Sequence, residues 1–264
     1  LLIKSTPEGA RDFIVPSRVY PGKWYALPQS PQIFKQILMI AGCDRYMQIC
    51  KCLRDEDPRA DRQAEFTQID LEMSFVDRDE ILKIMTGFVR RVFKQLLGVD
   101  LGQIPEIPWQ LAIDKWGTDR PDMRFDLHLQ DISEIAAKTD FKVFQSALAK
   151  DRGVVKAIRI PQSADKLSRK ILDQLQETAK LHGAGGLPWT KVTENGFEGG
   201  IAKFIEGVAD ELSAALEVEP GDTILMGCDQ WLKACESLGQ VRLHAARHLE
   251  LIDTTAWKAL WVVD

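Results

Sequence analysis

The sequence lacks a hydrophobic run of membrane-spanning length, a recognisable secretory signal, a CxxC pair, an internal repeat and any low-complexity tract. These features argue against a transmembrane protein, a disulfide-stabilised secreted domain and a repeat protein. The five cysteines are an odd number, which is more typical of a reducing compartment than of a disulfide framework. We therefore expect a cytoplasmic protein with no membrane association.

The chain also lacks an excess of positive charge, because its formal net charge is -5. A protein coated in basic surface for nucleic acid is thereby excluded, so any contact with RNA must use local patches, and we expect no DNA partner. With 264 residues and 45% hydrophobic content, the chain is long enough for one large domain or two ordinary ones with a proper core.

Two strand-like runs, residues 46–54 and 66–75, flank a charged loop and predict a long antiparallel hairpin. Alternation places three side chains on one face of the first strand, Tyr46, Gln48 and Arg54, and four on one face of the second, Phe66, Gln68, Asp70 and Glu72. This face is too polar for a core. An aromatic ring stacks on a base, an arginine binds phosphate oxygens, and carboxylates bind an ammonium group or Mg²⁺. The pattern predicts a nucleotide site.

One helix is predicted before this hairpin and another after it. The first has Ser30 as N-cap and Pro31 at its first position, ends at Gly42, and places Gln32 and Lys35 on one face. The second is capped by Asp77 with Glu80 as reciprocal partner, and ends at Gly98. Apolar stripes are expected on both helices: Phe34, Ile37, Leu38 and Ala41 on the first, and, as ordinary core, Ile81, Ile84, Met85, Phe88, Val92 and Leu96 on the second.

Residues 98–108 contain two glycines and two prolines without periodicity, which indicates a connection and a domain boundary. Beyond it, helices are expected at 109–116, 164–182, 201–217 and 229–238, and strands at 153–160, 187–192 and 222–228. Strands interleaved with helices predict a layered α/β or α+β domain.

Four segments together resemble one family: Arg54–Asp70, Pro7–Asp12, Ala26–Gln36 and Trp116–Asp122. The chain is similar over nearly its whole length to the bacterial-type aspartyl-tRNA synthetases, a family of class II enzymes. Leu53, Pro58 and Ala64 stand where the family pattern has phenylalanine, leucine and proline, and none of these is a ligand position.

The resemblance implies an α+β fold in three parts. Residues 1–108 would form part of the class II antiparallel-sheet catalytic domain, with the second class motif as a hairpin at 44–75. Residues 109–245 would form the inserted α/β-layer GAD domain, and 246–264 would return to the catalytic domain. The first and third class motifs and the anticodon-binding barrel would lie outside a chain that begins at Leu1 without methionine, so we expect a fragment.

The resemblance also implies two sets of ligand residues. The residues for ATP would be Arg54, Asp55, Glu56, Gln63, Phe66 and Gln68, and those for aspartate Glu8, Ser30, Gln32, Lys35, Arg54 and Asp70. Arg54 would be catalytic, at the α-phosphate and the substrate carboxylate. Lys35 would bind the aspartate side chain, Glu8 or Asp70 the ammonium group, and Gln32 would hydrogen-bond the amino acid. Asp57 and Asp61 are interpreted as a solvated turn.

Other residues with the appearance of a site are interpreted as structural. His244 and His248 have metal-ligand spacing but lack the glutamate of HExxH, so a solvated helix face is expected. Cys50 and Cys52 have no further ligand cluster near them, and packing is expected. No metal ligand is predicted within the chain.

The function implied by the resemblance is ATP-dependent activation of L-aspartate to aspartyl-adenylate and its transfer to tRNA. The expected partners are L-aspartate, ATP with Mg²⁺ and tRNA, with a homodimer in the intact enzyme and no prosthetic group. The alternative is a noncatalytic truncated fragment that acts only as a folding module or binds RNA or a partner. Aspartate-dependent ATP–pyrophosphate exchange distinguishes the two.

Overall fold

The computed structural model describes residues 2–6, 8–57 and 62–264. The chain divides into two compact units, residues 1–88 and 89–264. The elements of the first unit are β1 (Ile14–Pro16), β2 (Trp24–Ala26), α1 (Gln32–Ile40), β3 (Arg45–Leu53), β4 (Glu65–Met73) and α2 (Arg78–Leu97), which continues into the second unit. The division lies inside α2 rather than at residues 98–108, and the three-part domain division expected above stays a prediction.

Strands β3 and β4 form the predicted hairpin. They pair antiparallel from Arg45 opposite Met73 to Leu53 opposite Glu65. Gln48 lies opposite Asp70, and directly opposed side chains of an antiparallel pair point to the same side. The polar residues of the two strands therefore share one face, as the alternation predicted.

Helix α1 begins one residue later than predicted. Pro31 is the N-cap, and the Ser30 hydroxyl accepts a hydrogen bond from the Gln32 N–H at 3.3 Å. The end is as predicted, since Gly42 follows the helix with φ +91°, a conformation that glycine adopts without strain. The predicted apolar stripe is exposed: Phe34, Ile37, Leu38 and Ala41.

The start of helix α2 follows the prediction, but its burial does not. The Asp77 N–H donates to Glu80 Oε2 at 3.2 Å and the Glu80 N–H donates to Asp77 Oδ1 at 2.9 Å, which is the reciprocal cap. The expected core was wrong, because no side chain of α2 is buried among the residues that the structure describes. Periodicity shows which residues share a face, but it does not supply the layer that covers that face.

The second unit contains the larger set of elements. They are β5 (Glu106–Pro108), α3 (Trp109–Trp116), β6 (Leu129–Asp131), α4 (Ser133–Ala136), α5 (Lys142–Leu148), β7 (Gly153–Ile160), α6 (Arg169–Leu181), β8 (Trp189–Thr193), β9 (Gly196–Glu198), α7 (Ala202–Ile205), a 3-10 turn (Glu206–Val208), α8 (Ala209–Leu216), β10 (Thr223–Gln230), α9 (Trp231–His248) and β11 (Trp261–Val263).

The helix at 109–116 and the strand at 153–160 are confirmed. The helix predicted at 164–182 begins only at Arg169, the one at 201–217 is broken into three pieces, and α9 extends to His248 instead of 238.

A five-stranded antiparallel sheet in the order β6-β7-β10-β8-β9 lies between helices. Alternate residues of β7 enter different cores. Ile158 and Ile160 pack with residues of α3, α6 and α9, whereas Val155 and Ala157 pack with residues of α4, α5, α7 and α8. The second unit is therefore a three-layer domain with both faces of its sheet covered, which confirms the layered prediction.

Two features position helix α9 against α3 and the segment that follows it. Gly117 ends α3 with φ +68°, and a Cβ there would lie 2.1 Å from the Cys235 carbonyl oxygen on α9, so the close approach of the two helices requires glycine. Arg242 of α9 is buried, and its guanidinium donates to the carbonyl oxygens of Asp122 and Phe125 at 2.9 and 3.2 Å. These contacts attach α9 to the segment that follows α3.

Strands β5 and β11 pair in parallel, with Glu106 opposite Trp261. The chain therefore leaves the pair after Pro108 and returns to it at Trp261, with the three-layer domain between. Within the described ranges, no helix is long and apolar enough to cross a membrane.

Candidate active site

The polar face of the hairpin is centred on Lys35, which α1 carries to it. Lys35 Nζ lies 3.0 Å from Asp70 Oδ1 and 3.0 Å from Glu72 Oε2. Lys35 is 9% exposed and Asp70 4% exposed. The structure thus brings together two residues assigned to aspartate from the sequence, and adds Glu72, which the sequence placed on this face but not in the site.

The charges of this cluster do not cancel. Burial lowers the pKa of Lys35, but hydrogen bonds to Glu72 and Asp70 outweigh it and raise the pKa above its ordinary value. One ammonium group faces two carboxylates, and the second oxygen of Asp70, Oδ2, is buried without a hydrogen-bond partner among the described residues. A buried carboxylate oxygen without a donor is costly, so the cluster favours a ligand that supplies one.

Gln29 joins three parts of the site, and sequence reasoning missed it. It is fully buried, its amide Nε2 donates to the Ala10 carbonyl at 3.2 Å and to Asp12 Oδ1 at 2.7 Å, and its Oε1 accepts from the Glu8 N–H at 3.1 Å. Its backbone carbonyl accepts from Arg54 Nε at 3.2 Å. A glutamine flanked by Pro28 and Ser30-Pro31 gives no periodic signal, so only the folded contacts identify it.

Glu8 and Ser30 lie together at one side of this network. The Ser30 hydroxyl donates to Glu8 Oε1 at 2.9 Å, and Ser30 itself is buried. Gln32 contacts Ser30 through its backbone N–H, while its side chain is exposed. The structure therefore places all three near the start of α1 but connects only Glu8 and Ser30 through side chains.

Arg54 and Phe66 meet at the open end of the hairpin. The Arg54 guanidinium carbon lies 5.2 Å from the centroid of the Phe66 ring, within the range of a cation–π contact. Gln68 connects this end to the charged cluster, since its Nε2 donates to Asp70 Oδ1 at 3.3 Å. Phe66 and Gln68, assigned to ATP, and Asp70, assigned to aspartate, thus lie on one continuous face.

The acidic residues after Arg54 are held by arginines. Arg11 Nε lies 3.2 Å from Asp55 Oδ2, and the two residues also form a backbone bridge. Arg62 lies 2.5 Å from Glu56 Oε2. Both carboxylates are therefore paired with an arginine side chain.

The remaining loop residues are less informative. Gln63 is exposed, and its assignment to ATP stays a prediction from the resemblance. Asp57 is exposed, as a solvated turn requires. Three positions considered from the sequence, Pro7, Pro58 and Asp61, lie outside the described residues.

Cys50 and Cys52 lie on the same face of β3 as Gln48, and Cys52 is fully buried, as the expected packing role requires. They are opposite Gln68 and Phe66 in the ladder. The two Sγ atoms are 3.8 Å apart, and Cys52 Sγ donates to Gln68 Oε1 at 3.2 Å. Burial raises the pKa of Cys52 to about 11, so its thiol stays protonated at neutral pH.

One histidine that the sequence analysis interpreted as structural has a partner in another helix. His244 shares a 2.8 Å hydrogen bond with the Thr178 hydroxyl, which connects α9 to α6. Within the part of the chain that the structure describes, no group of three or more His, Cys, Asp or Glu side chains is arranged to hold a metal ion.

Comparison with known proteins gives one family. The family model described as tRNA synthetases class II (D, K and N) matches residues 1–264. The chain is 50% identical over 264 residues to the aspartate–tRNA ligase of Limosilactobacillus fermentum, covering 100% of this chain and 44% of that protein. It is 51% identical over 266 residues to the aspartate–tRNA ligase of Macrococcus caseolyticus, covering 100% and 45%.

A third relative carries a different name at nearly the same similarity. The aspartate–tRNA(Asp/Asn) ligase of Treponema denticola is 49% identical over 265 residues, covering 99% of this chain and 45% of that protein. In each comparison the chain spans less than half the length of the relative it matches.

Proposed function

Because the chain belongs to the class II tRNA synthetases of the D, K and N group, we propose that its hairpin carries the L-aspartate and ATP site of an aspartate–tRNA ligase. The reaction joins the carboxylate of aspartate to the α-phosphorus of ATP, releases pyrophosphate, and then transfers aspartate to tRNA. Two observations support it: relatives with this name match the whole chain, and three of the implied ligands, Phe66, Gln68 and Asp70, share one face of the hairpin.

The pairing of Lys35 with Asp70 carries the proposal. L-Aspartate brings an ammonium group and a side-chain carboxylate, and the cluster offers a buried acceptor, Asp70 Oδ2, beside a buried cation, Lys35 Nζ. The ammonium group would donate to Asp70, and the side-chain carboxylate would bind Lys35 in place of Glu72, whose side chain is 40% exposed. Asparagine has a neutral side chain and would bind Lys35 less well.

Arg54 and Phe66 would bind the nucleotide. The attacking carboxylate is already ionised, so the step needs no base, only alignment and neutralisation of the charge that grows on the phosphate oxygens. The Arg54 guanidinium would supply the compensating positive charge, and its hydrogen bond to the Gln29 carbonyl would anchor it at the site. Phe66 would stack on adenine after the guanidinium moves off its ring.

Mg²⁺ enters this proposal only as part of the ATP substrate. Asp55 and Glu56 are each paired with an arginine, and no described cluster has the donor set that a resident metal needs. The described residues of this chain therefore do not fit a protein-held magnesium ion, and the role proposed for them is to bind and orient the substrates.

The parallel pair of β5 and β11 supports the proposal that residues 109–245 are the GAD insertion. A domain that begins and ends at two adjacent strands can be inserted without displacing them.

The homodimer, the tRNA contacts and the cytoplasmic location stay predictions from the resemblance. Relatives named aspartate–tRNA ligase and aspartate–tRNA(Asp/Asn) ligase are 48–51% identical to this chain. We therefore propose aspartate as the amino acid and leave open whether the asparagine tRNA is also charged.

Aspartate-dependent ATP–pyrophosphate exchange tests this function. We expect exchange by a full-length ligase that contains this chain, and absent or very weak exchange by the 264 residues alone. Exchange that does not require aspartate, or that prefers lysine or asparagine, would contradict the proposal. A full-length protein that binds tRNA but shows no exchange would favour the alternative of a noncatalytic module.

A further inference from the structure

The second unit contains a cavity of about 350 Å³ with a polar lining from three segments. These are Lys142, Ser146 and Lys150 of α5 and the turn after it, Gly185 and Gly186 of the loop before β8, and Asp229 of β10. The rest of the wall is formed by Val143, Ala147 and Cys228. None of these residues belongs to the candidate active site, so the cavity is a separate feature of the molecule.

The lining of this cavity has an excess of positive charge. Asp229 is buried and both of its oxygens are already paired, because Lys150 Nζ lies 2.6 Å from Oδ1 and Lys233 Nζ lies 3.0 Å from Oδ2. Lys142 forms no ion pair with any residue that the structure describes. Three ammonium groups and one carboxylate leave a net charge of +2 here, in a chain whose formal net charge is -5. The local field therefore favours an anion.

Neutral hydrogen-bond donors accompany the lysines. Ser146 is four residues after Lys142 and shares its face of α5, and its hydroxyl has no partner within the described part of the chain. The backbone N–H groups of Gly185 and Gly186 are likewise unpaired among the described residues. A Cβ on either glycine would meet no atom within 4 Å, so a ligand can approach the backbone closely. Ammonium groups, a hydroxyl and free amides are the donors that bind phosphate oxygens.

From this lining we propose that the cavity binds a phosphate dianion, either free or carried by a small phosphomonoester. Lys142 would supply the main charge, since Lys150 is already paired with Asp229. The Ser146 hydroxyl and the two glycine amides would donate to the remaining oxygens. A dianion matches the net charge of the lining, and the volume is at the lower end of the range for small-molecule sites. This binding does not depend on the proposed function.

Amide NMR of the 264-residue chain locates the binding, with Arg54→Ala as the background so that the proposed nucleotide site does not contribute its arginine. We expect inorganic phosphate and ribose 5-phosphate to shift the Gly185 and Gly186 amide resonances saturably. Tighter binding of ribose 5-phosphate would support a phosphorylated small molecule as the ligand, and tighter binding of inorganic phosphate would support the free ion. Affinity should rise from pH 5 to pH 7, because the second pKa of a phosphate ester is about 6.

Two variants of Lys142 and one control separate recognition from folding. Lys142→Met should weaken binding about 10-fold because one charge-assisted contact is lost, and Lys142→Arg should retain most of it. Lys138→Met removes an exposed lysine that pairs with Glu211 and should leave affinity unchanged. Shifts that sodium chloride reproduces at equal ionic strength, shifts that do not include Gly185 and Gly186, or an unchanged affinity in a folded Lys142→Met would each overturn the proposal.

Discussion

The two units of the molecule bury different kinds of side chain. In residues 1–88 the buried hydrophobic residues among those described are Ala26 and Cys52, whereas the buried polar ones are Thr6, Gln29, Ser30, Lys35 and Asp70. In residues 89–264 two apolar cores enclose a sheet on both faces. Four of the five buried polar residues of the first unit take part in the candidate site.

This difference assigns folding stability mainly to the second unit and ligand binding mainly to the first. Apolar burial contributes roughly 25 cal/mol per Å², so the second unit has its own source of folding free energy. The first unit places charge in a low-dielectric position, which strengthens interactions with a ligand but contributes little to folding. Substitutions in the second unit should therefore change stability, and substitutions in the first should chiefly change ligand binding and rate.

The largest effect is expected from a core truncation in the second unit. Ile158→Ala removes a fully buried side chain of β7 and should lower the free energy of unfolding by about 4 kcal/mol. The matched change in the first unit is Ile49→Ala on β3, where the side chain is 66% exposed, and it should cost less than about 0.5 kcal/mol. Urea unfolding of both variants measures the difference. Similar losses would break the contrast between the units.

The next effect is on rate and lies in the first unit. Arg54→Ala, made in a full-length ligase that contains this chain, should lower the exchange rate constant by about 10² to 10³, or about 3 to 4 kcal/mol, while ATP binding weakens less. Charge on the α-phosphate oxygens grows only towards the transition state, so the guanidinium acts mostly there. Arg45→Ala, which removes an exposed arginine at the start of β3, the strand that Arg54 follows, is the control. A near-normal rate constant for Arg54→Ala would remove Arg54 from the site.

A smaller effect concerns acid stability of the second unit. Burial alone would raise the pKa of Asp229, but hydrogen bonds from Lys150 and Lys233 lower it to about 2. A carboxylate with a depressed folded pKa contributes stability above its unfolded pKa of about 3.9, and this is lost as pH falls through about 2. Asp229→Asn should remove about 2 kcal/mol of that acid dependence, measured as unfolding free energy between pH 5 and pH 2. An unchanged pH dependence would show that the two lysines do not stabilise the carboxylate.

Local features were predictable from the sequence because each depends on neighbouring residues. The hairpin faces, the Asp77–Glu80 cap and the end of α1 at Gly42 follow from spacing and from glycine conformation. Contacts between distant segments were not predictable in this way.

The role of Gln29 depends on where the segment 8–12 crosses the chain. The approach of Lys35 to Glu72 depends on the placement of α1 over the hairpin. The exposure of α2 likewise required the packed structure.

Binding of L-aspartate to the 264-residue chain is the most direct test of the central claim, that Lys35 and Asp70 form an aspartate pocket. Isothermal titration should show L-aspartate bound more tightly than L-asparagine, and Lys35→Met should weaken aspartate at least about 10-fold because one charge-assisted contact is lost. Lys51→Met, on the opposite face of β3 and paired with Glu65, is the matched control, with the fold of both variants checked by circular dichroism. Equal affinities for the two amino acids, or an unchanged aspartate affinity in a folded Lys35→Met, would contradict the account.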